Sequence, residues 1–300
     1  MLHLIQKTLF ALCALFVAFN AVPNQPQADH TYRYATVDWS VAETLLALGE
    51  PPLAVGDVQS YQTWVMEPKL PADTLDLGIR LQPNFERIAS LQKLAENRPL
   101  VFIHSPFYAA LNDKLALYGK VYNVEFYKAG DAWNNIVTAT QEIGRIIQRP
   151  NAVLKLLSEY QQDIEHYRPL LQPFTDHPIA LVQFIDTRHL RIYGTNSLLG
   201  AVLKQLGFQN AYLHDVNYWG FQNIEITQLA KFPSNTRFVV IKPYPHNIAA
   251  ALTHNTLWQR LPLAKAPLIL PAVWTFGALP SAQRFVHIFA DGLLHGGESW

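Results

Sequence analysis

The chain is short of the features that most function classes need. It has one cysteine, and its 23 Lys and Arg exactly offset in number by 23 Asp and Glu leave no net charge over 300 residues. A nucleic-acid partner therefore lacks the basic footprint that would recruit it. Cys13 lies inside an apolar run near the start, so removal of that run leaves no thiol for a disulfide or a thiolate–metal site. Catalytic loops are missing too. No G-x-G-x-x-G or Walker loop is present, and Ser197, behind Gly194-Thr-Asn, is in no G-x-S-x-G elbow and reads as a helix start. None of the 11 histidines has H-E-x-x-H spacing, and no carboxylate run marks a calcium site. No metal held by protein side chains and no resident cofactor is expected, although His104 and His189 could meet in a cleft. An enzyme has no nucleophile, base or cofactor loop here to rest on.

What is present is apolar and aromatic: half of the residues are hydrophobic, 15% are charged, and there are 7 Trp, 13 Tyr and 16 Phe. Lys7 is followed by an apolar run from Leu9 to Phe19, too short to span a bilayer comfortably, and then by a polar stretch with prolines. That is the layout of a cleavable secretory leader over residues 1–29. Cleavage after Ala21 would put Phe19 at the minus-three position, so the cut is not placed. Cys13 follows Leu12 rather than a small residue, which disfavours a lipid anchor; an uncleaved membrane anchor is the alternative.

From Thr31 onward, short apolar runs alternate with helical patterns, the mark of an α/β fold with a largely parallel sheet. Strands are expected at 31–37, 53–55, 75–77, 100–103 and 121–127, with helices at 41–48, behind Pro83 with Asn84 as cap, at 109–117 and after Asp131. The most regular segment follows Pro150, where Val153, Leu157, Tyr160, Ile164 and Tyr167 form one stripe that Pro169 should end. A second series comprises a strand at 179–185, a helix at 198–206, a strand at 238–241 and a closing helix at 280–293. Leu45–Asp57 and Val202–Asp215 echo each other. The reading is two Rossmann-like α/β lobes, 30–150 and 169–300, joined by a single long helix at 151–168, with a cleft between them as the preferred ligand site.

The stretch from Tyr61 to Ile88 is pivotal. Pro68 and Pro71 argue against regular structure, so Trp64 should stand on a loop, and the step Leu75–Leu77, turn at Gly78 and helix behind Pro83 put Arg80 at the mouth of the sheet. In the plainer reading Arg80 pairs with Asp76 and Trp64 fills a gap. The second lobe adds rings from loops: Tyr212, then Asn217-Tyr218-Trp219, and Pro271-Ala-Val-Trp274-Thr-Phe276-Gly. Trp64, Trp219 and Trp274, all beside Pro or Gly, suggest a lined pocket.

Trp64-Val-Met-Glu-Pro with Leu77-Gly-Ile-Arg80, Pro83-Asn-Phe-Glu86, Ile185-Asp-Thr-Arg-His189, Tyr193-Gly-Thr-Asn-Ser197, Asn217-Tyr-Trp-Gly220 and Pro271-Ala-Val-Trp274 occur in that order. In these motifs the chain resembles the periplasmic ferric-hydroxamate (ferrichrome-type) siderophore-binding proteins of ABC importers, a helix-linked class of solute-binding protein. The resemblance implies that Arg80 and Tyr108 hydrogen-bond the hydroxamate oxygens of a preformed Fe(III) complex. It makes Trp64, Tyr212, Trp219 and Trp274 the walls, with Asn217 and Ile185 nearby and Phe276 beside Trp274. His104 stands where a further tryptophan is expected, Phe221 where a small polar residue is, and Arg191 where an aliphatic side chain would line the pocket. A second cation would favour a carboxylate-bearing ligand such as a citrate-based hydroxamate. The class also implies a periplasmic monomer without catalysis that docks an inner-membrane ABC permease and its ATPase through one carboxylate per lobe. Glu86 matches the first. Thr227 stands where the second is expected, with Glu225 as substitute. The alternatives are another iron chelate, haem or cobalamin on the same scaffold, or a secreted enzyme.

Overall fold

The computed structural model describes residues 31–300; the leader lies outside them. Two five-stranded sheets, each with helices packed on it, follow one another along the chain. The first has the order β3-β2-β1-β4-β5 and is parallel throughout. It is built from β1 (Arg33–Thr36), β2 (Ala54–Val55), β3 (Leu75–Asp76), β4 (Leu100–His104) and β5 (Lys120–Asn123). The second has the order β10-β9-β6-β7-β8, from β6 (Ile179–Phe184), β7 (His189–Tyr193), β8 (Phe221–Glu225), β9 (Arg237–Ile241) and β10 (Leu268–Leu270). Here β7 runs antiparallel to β6 and β8.

Short polar residues start the helices where the sequence places them. Asp131 caps α5 (Ala132–Ile146) by accepting from the Asn134 N–H, and Ser197 caps α7 (Leu198–Gln205) by accepting from the Gly200 N–H. Asn84 does the same for α3 (Phe85–Leu94). Three expectations need correction. Residues 58–64 are not a loop: Asp57, in the left-handed region, accepts from the Ser60 N–H and starts α2 (Val58–Trp64), so Trp64 ends a helix. The segment expected as a helix at 109–117 is a tight 3₁₀ turn, Pro106–Leu111, followed by the single turn α4 (Asn112–Leu115). The strands β7 and β8 were not anticipated, because His189, Arg191, Gln222 and Asn223 interrupt the apolar pattern.

The long helix α6 runs Pro150–Leu171 and carries Pro169 in its final turn. A proline there forfeits one terminal bond and does not end the helix. Its buried stripe is Val153, Leu156, Tyr160, Ile164 and Leu171, with Leu157 only partly covered. These residues belong to one continuous core that also holds Val41, Leu45 and Ile103 of the first lobe and Tyr193, Leu203 and Val239 of the second. The Arg149 guanidinium fixes the start of α6 through two bonds to Glu50, at 2.7 and 3.1 Å.

A second seam joins the lobes beside the cleft. Helix α1 (Trp39–Ala47) faces the segment 274–278, which leads into α10 (Leu279–His295). Ala278 has no side chain able to cap α10, and Glu43 supplies the missing acceptor from the other lobe, taking the Ala278 N–H and, at 2.5 Å, the Ser281 hydroxyl. Ser40 Oγ donates to the Phe276 carbonyl and Tyr127 Oη to the Gly277 carbonyl, each at 2.6 Å. Gly277 is required there, since a Cβ would lie 2.2 Å from Ser281 Oγ and 2.8 Å from Glu43 Oε1.

Glu43 is fully buried. Burial pushes its carboxyl from 4.5 up to about 8, against the pull of the Ala278 and Ser281 hydrogen bonds. A carboxyl raised on folding contributes stability that is complete below the unfolded value and is lost as pH climbs through the folded one. Stability should therefore fall between pH 4.5 and about 8, by a term on the order of 4 kcal/mol. Glu43→Gln keeps the acceptor and removes the titration, so thermal melts across that window should be flatter for the variant than for the parent; parallel curves would refute the assignment.

Candidate functional site

A cavity of about 500 Å³ opens between the lobes at the carboxyl ends of β1 and β4. From the first lobe it takes Trp39, Asp57, Trp64, Arg80, Phe107 and Tyr108, and from the second Arg191, Trp219, Phe221, Trp274 and Phe276.

Arg80 is its polar centre. Asp76 does not pair with it: that carboxylate accepts from the Gly78 N–H at 2.8 Å and holds the turn that aims Arg80 inward. Arg80 Cζ instead lies 3.7 Å from the centroid of the Trp39 ring and 5.6 Å from that of Trp274, and Nη1 donates to Tyr108 Oη at 3.0 Å. Stacking on an indole holds a guanidinium in place without neutralising it. Trp39 is itself fixed, its Nε1 donating to the Gly56 carbonyl at 2.8 Å. Gly56 also makes room for the arginine, since a Cβ there would stand 3.2 Å from Arg80 Cγ and 3.1 Å from Val37 Cα.

Tyr108 is buried. Burial above all, with the Asp38 charge second, holds its phenol well above the usual tyrosine range, and Arg80 only partly offsets this. The hydroxyl thus stays protonated: it accepts from Arg80 through a lone pair and retains a proton to donate. Asp38 has its oxygens occupied by the Ser40 N–H, the Ser105 N–H and the Ser105 hydroxyl.

The rings interlock across the cleft. Trp274 reaches from the second lobe into the apolar cluster of the first, 5.0 Å from Trp39 and 6.4 Å from Trp64. Trp219 lies 5.6 Å from Phe107 and 5.0 Å from Tyr127 on one side and 5.8 Å from Phe276 on the other.

Four of the twelve pocket residues expected from sequence are elsewhere. His104 is fully buried behind Tyr108, its ring 6.2 Å from the phenol, and burial holds it in the neutral form. Neither ring nitrogen has a hydrogen-bond partner among the described residues. His189 is half-exposed at the start of β7, its ring on Asp186 of the β6–β7 turn at 2.8 Å, so the two histidines do not form a site. Ile185 belongs to that same turn, its N–H bonded to the His189 carbonyl. Tyr212 packs into the second lobe's own core with Phe184 and Ile192. Asn217 works on the backbone, its Oδ1 accepting from the Trp219 and Phe221 N–H groups and so shaping the loop that presents Trp219. Trp39, Phe107 and Tyr127 were missed. Trp39 follows β1 in a strand–turn–helix unit like the one that flagged Arg80, and that placement was the available signal.

The two carboxylates expected to dock a permease are both exposed, Glu86 in the first turn of α3 and Glu225 at the end of β8, where it accepts from Thr227 Oγ1 at 3.2 Å. Among the described residues no cluster of three or more His, Cys, Asp or Glu could hold a metal, and no helix is long and apolar enough to cross a membrane.

Known proteins share this architecture. The iron(3+)-hydroxamate-binding protein FhuD of Escherichia coli K12 is 29% identical over 266 residues, which are 87% of this chain and 86% of FhuD. The crystal structure of the Vibrio cholerae siderophore-binding protein FhuD with Fe3+-Desferal superposes with a TM-score of 0.80 at 21% identity, covering 89% of this chain and 99% of that one. The triscatecholate siderophore-binding protein FeuA of Bacillus subtilis, with ferri-bacillibactin, gives 0.66 at 13% identity over 89% and 93%. Residues 35–265, most of both lobes and the helix between them, match the model of the periplasmic binding proteins, and the chain belongs to that family.

Proposed function

We propose that the cavity captures a ferric hydroxamate siderophore in the periplasm and that the protein, acting as a monomer and without catalysis, delivers it to an inner-membrane ABC permease and its ATPase. The observation that carries this reading is the Arg80–Tyr108 pair, a guanidinium and a protonated phenol bonded at 3.0 Å on the floor of an aromatic cavity.

Hydroxamate oxygens bound to Fe(III) retain partial negative charge. A guanidinium, always protonated, donates to them without competing for the metal, and Tyr108 can donate alongside it. Each charge-assisted bond contributes about 1.5–3 kcal/mol. Trp64, Trp219 and Trp274 cover the organic scaffold, a well-buried large side chain contributing about 1.5–3 kcal/mol. A few such terms, less the cost of association, reach the roughly −8 kcal/mol of micromolar binding. Iron stays with its chelator as cargo, so the protein needs no ligand to the metal. The similarity to FhuD supports the choice of hydroxamates, and the apolar run 9–19 supports export by a cleaved leader. For docking, an exposed carboxylate in the first turn of α3 and another at the end of β8, one in each lobe, suit basic groups on a membrane partner, Glu86 with the better placement and Glu225 as its counterpart.

Tryptophan fluorescence tests the ligand. A neutral ferric trihydroxamate should quench saturably while haem and cobalamin do not; quenching by haem or cobalamin alone would overturn the reading. Arg80→Gln should weaken binding about tenfold to a hundredfold. Gly56→Ala, which substitutes no ligand-facing side chain but crowds the Arg80 stem against Trp39, should weaken binding in the same direction by about tenfold. Glu86→Ala should leave binding intact and reduce iron uptake in cells carrying the transporter; unchanged uptake would remove Glu86 from the docking surface.

A further inference from the structure

The cavity holds a second guanidinium that recognition of hydroxamate oxygens by Arg80 leaves unused. Arg191 lies on β7, where alternation sends Leu190 and Ile192 into the core and leaves Arg191 on the cavity side. Its Cζ stands 5.5 Å from the Phe221 centroid and 5.6 Å from that of Phe276, and its polar neighbours are neutral: the amide oxygen of Gln183, at a long 3.5 Å, and the Tyr193 hydroxyl. Arg191 thus repeats, from the opposite lobe, the arrangement of Arg80: rings hold the cation, and no carboxylate among the described residues pairs with either. The acids on the cavity wall are engaged elsewhere. Asp38 is saturated by Ser40 and Ser105, and Asp57 faces the N-terminus of α2, accepting from the Ser60 N–H.

We infer that the chelate this site prefers is anionic, a ferric hydroxamate that also carries a carboxylate, with Arg80 and Arg191 taking the two kinds of oxygen. The inference rests on the ferric-hydroxamate reading and narrows it. A neutral chelate filling the cavity would strip water from Arg191 and give nothing back, a cost that grows as the site dries. A carboxylate matches the planar fork of a guanidinium and can accept two N–H groups at once. An anion between cations from two lobes also relieves their mutual repulsion.

Three gallium or iron complexes decide the matter by titration against the mature chain: a neutral cyclic trihydroxamate, an amine-bearing linear trihydroxamate that is cationic, and a citrate-backboned dihydroxamate that is anionic. The wild type should bind the anionic complex about tenfold or more tightly than the neutral one. Raising salt from about 50 mM to about 500 mM should narrow that gap. Arg191→Leu should remove most of the preference, weakening the anionic complex while the neutral one, which no longer desolvates a cation, binds equally or more tightly, and Arg191→Lys should retain part of it. Equal losses for both complexes in Arg191→Leu, or a wild-type preference for the neutral or cationic complex, would overturn the inference and leave the ferric-hydroxamate reading standing. Failure of the wild type to bind any of the three would instead sink that reading, and the inference with it.

Discussion

A cation held by rings is the constraint on which the rest of this structure depends. A guanidinium clamped by a carboxylate is fixed but neutralised; laid on Trp39 and tethered to a neutral phenol, Arg80 is fixed and still carries its whole charge toward the cavity. That arrangement places demands on distant parts of the chain. Trp39 must sit at the start of α1, where its indole N–H reaches the Gly56 carbonyl, and residue 56 must lack a side chain so that the arginine stem can pass. Asp76 must be drawn away, which its bond to the Gly78 N–H accomplishes. The acids on the cavity wall are drawn off too, Asp38 by Ser40 and Ser105 and Asp57 by the Ser60 N–H.

The second demand is that the roof of the site belong to the other lobe and yet stay in register with the floor. The segment 274–278 meets it by satisfying its backbone polar groups across the seam, with the Phe276 and Gly277 carbonyls on Ser40 and Tyr127 and the Ala278 N–H on Glu43. Parting the lobes there would strand these groups along with the contact between Trp274 and Trp39. Buried polar groups left without partners are costly. Together with a core that runs through α6 into both lobes, this makes the cavity largely preformed, so that binding energy goes into ligand contacts rather than into closing a hinge.

Much of this was legible in the sequence, and the failures have physical causes. Helix starts at Asn84, Asp131 and Ser197 were readable because capping is a local interaction between neighbours in the chain. Arg80 was readable because a strand, a glycine turn and a capped helix bracket it. Asp57 capped a helix that the later prolines, Pro68 and Pro71, disguised. Strands β7 and β8 were hidden because one carries Arg191 into the cavity and the other is largely exposed, so neither shows an apolar run. Tyr212 and His104 have the right chemistry for a binding wall, but whether a loop ring or a strand-end side chain turns to the cavity or to the core is set by what packs around it, and that is a non-local property. Tyr212 went to the core of its own lobe and His104 to the layer behind Tyr108. Trp39 failed in the opposite direction: an apolar ring at the start of a buried helix looks like core, and it is only 2% exposed, yet one face of it is the bed of Arg80.

The division between rings and charges also bears on how selective such a site can be. Indole and phenyl faces cover organic surface with little regard for its detail, and Trp64, Trp219 and Trp274 impose shape limits rather than a code. Discrimination must then come from the few groups that are buried, directional and costly to leave unmatched, which in this cavity are the two arginines and the Tyr108 hydroxyl. Since Arg80 and Tyr108 are locked to one another, they form a single donor unit, which in the proposed reading meets oxygen atoms around a metal. Arg191, anchored separately on a strand of the facing lobe, would in the inference drawn above meet a different group, and it makes no contact with that unit through which a change there would disturb the floor. A scaffold built this way can change ligand by altering one strand position while the seam, the core and the first guanidinium stay as they are.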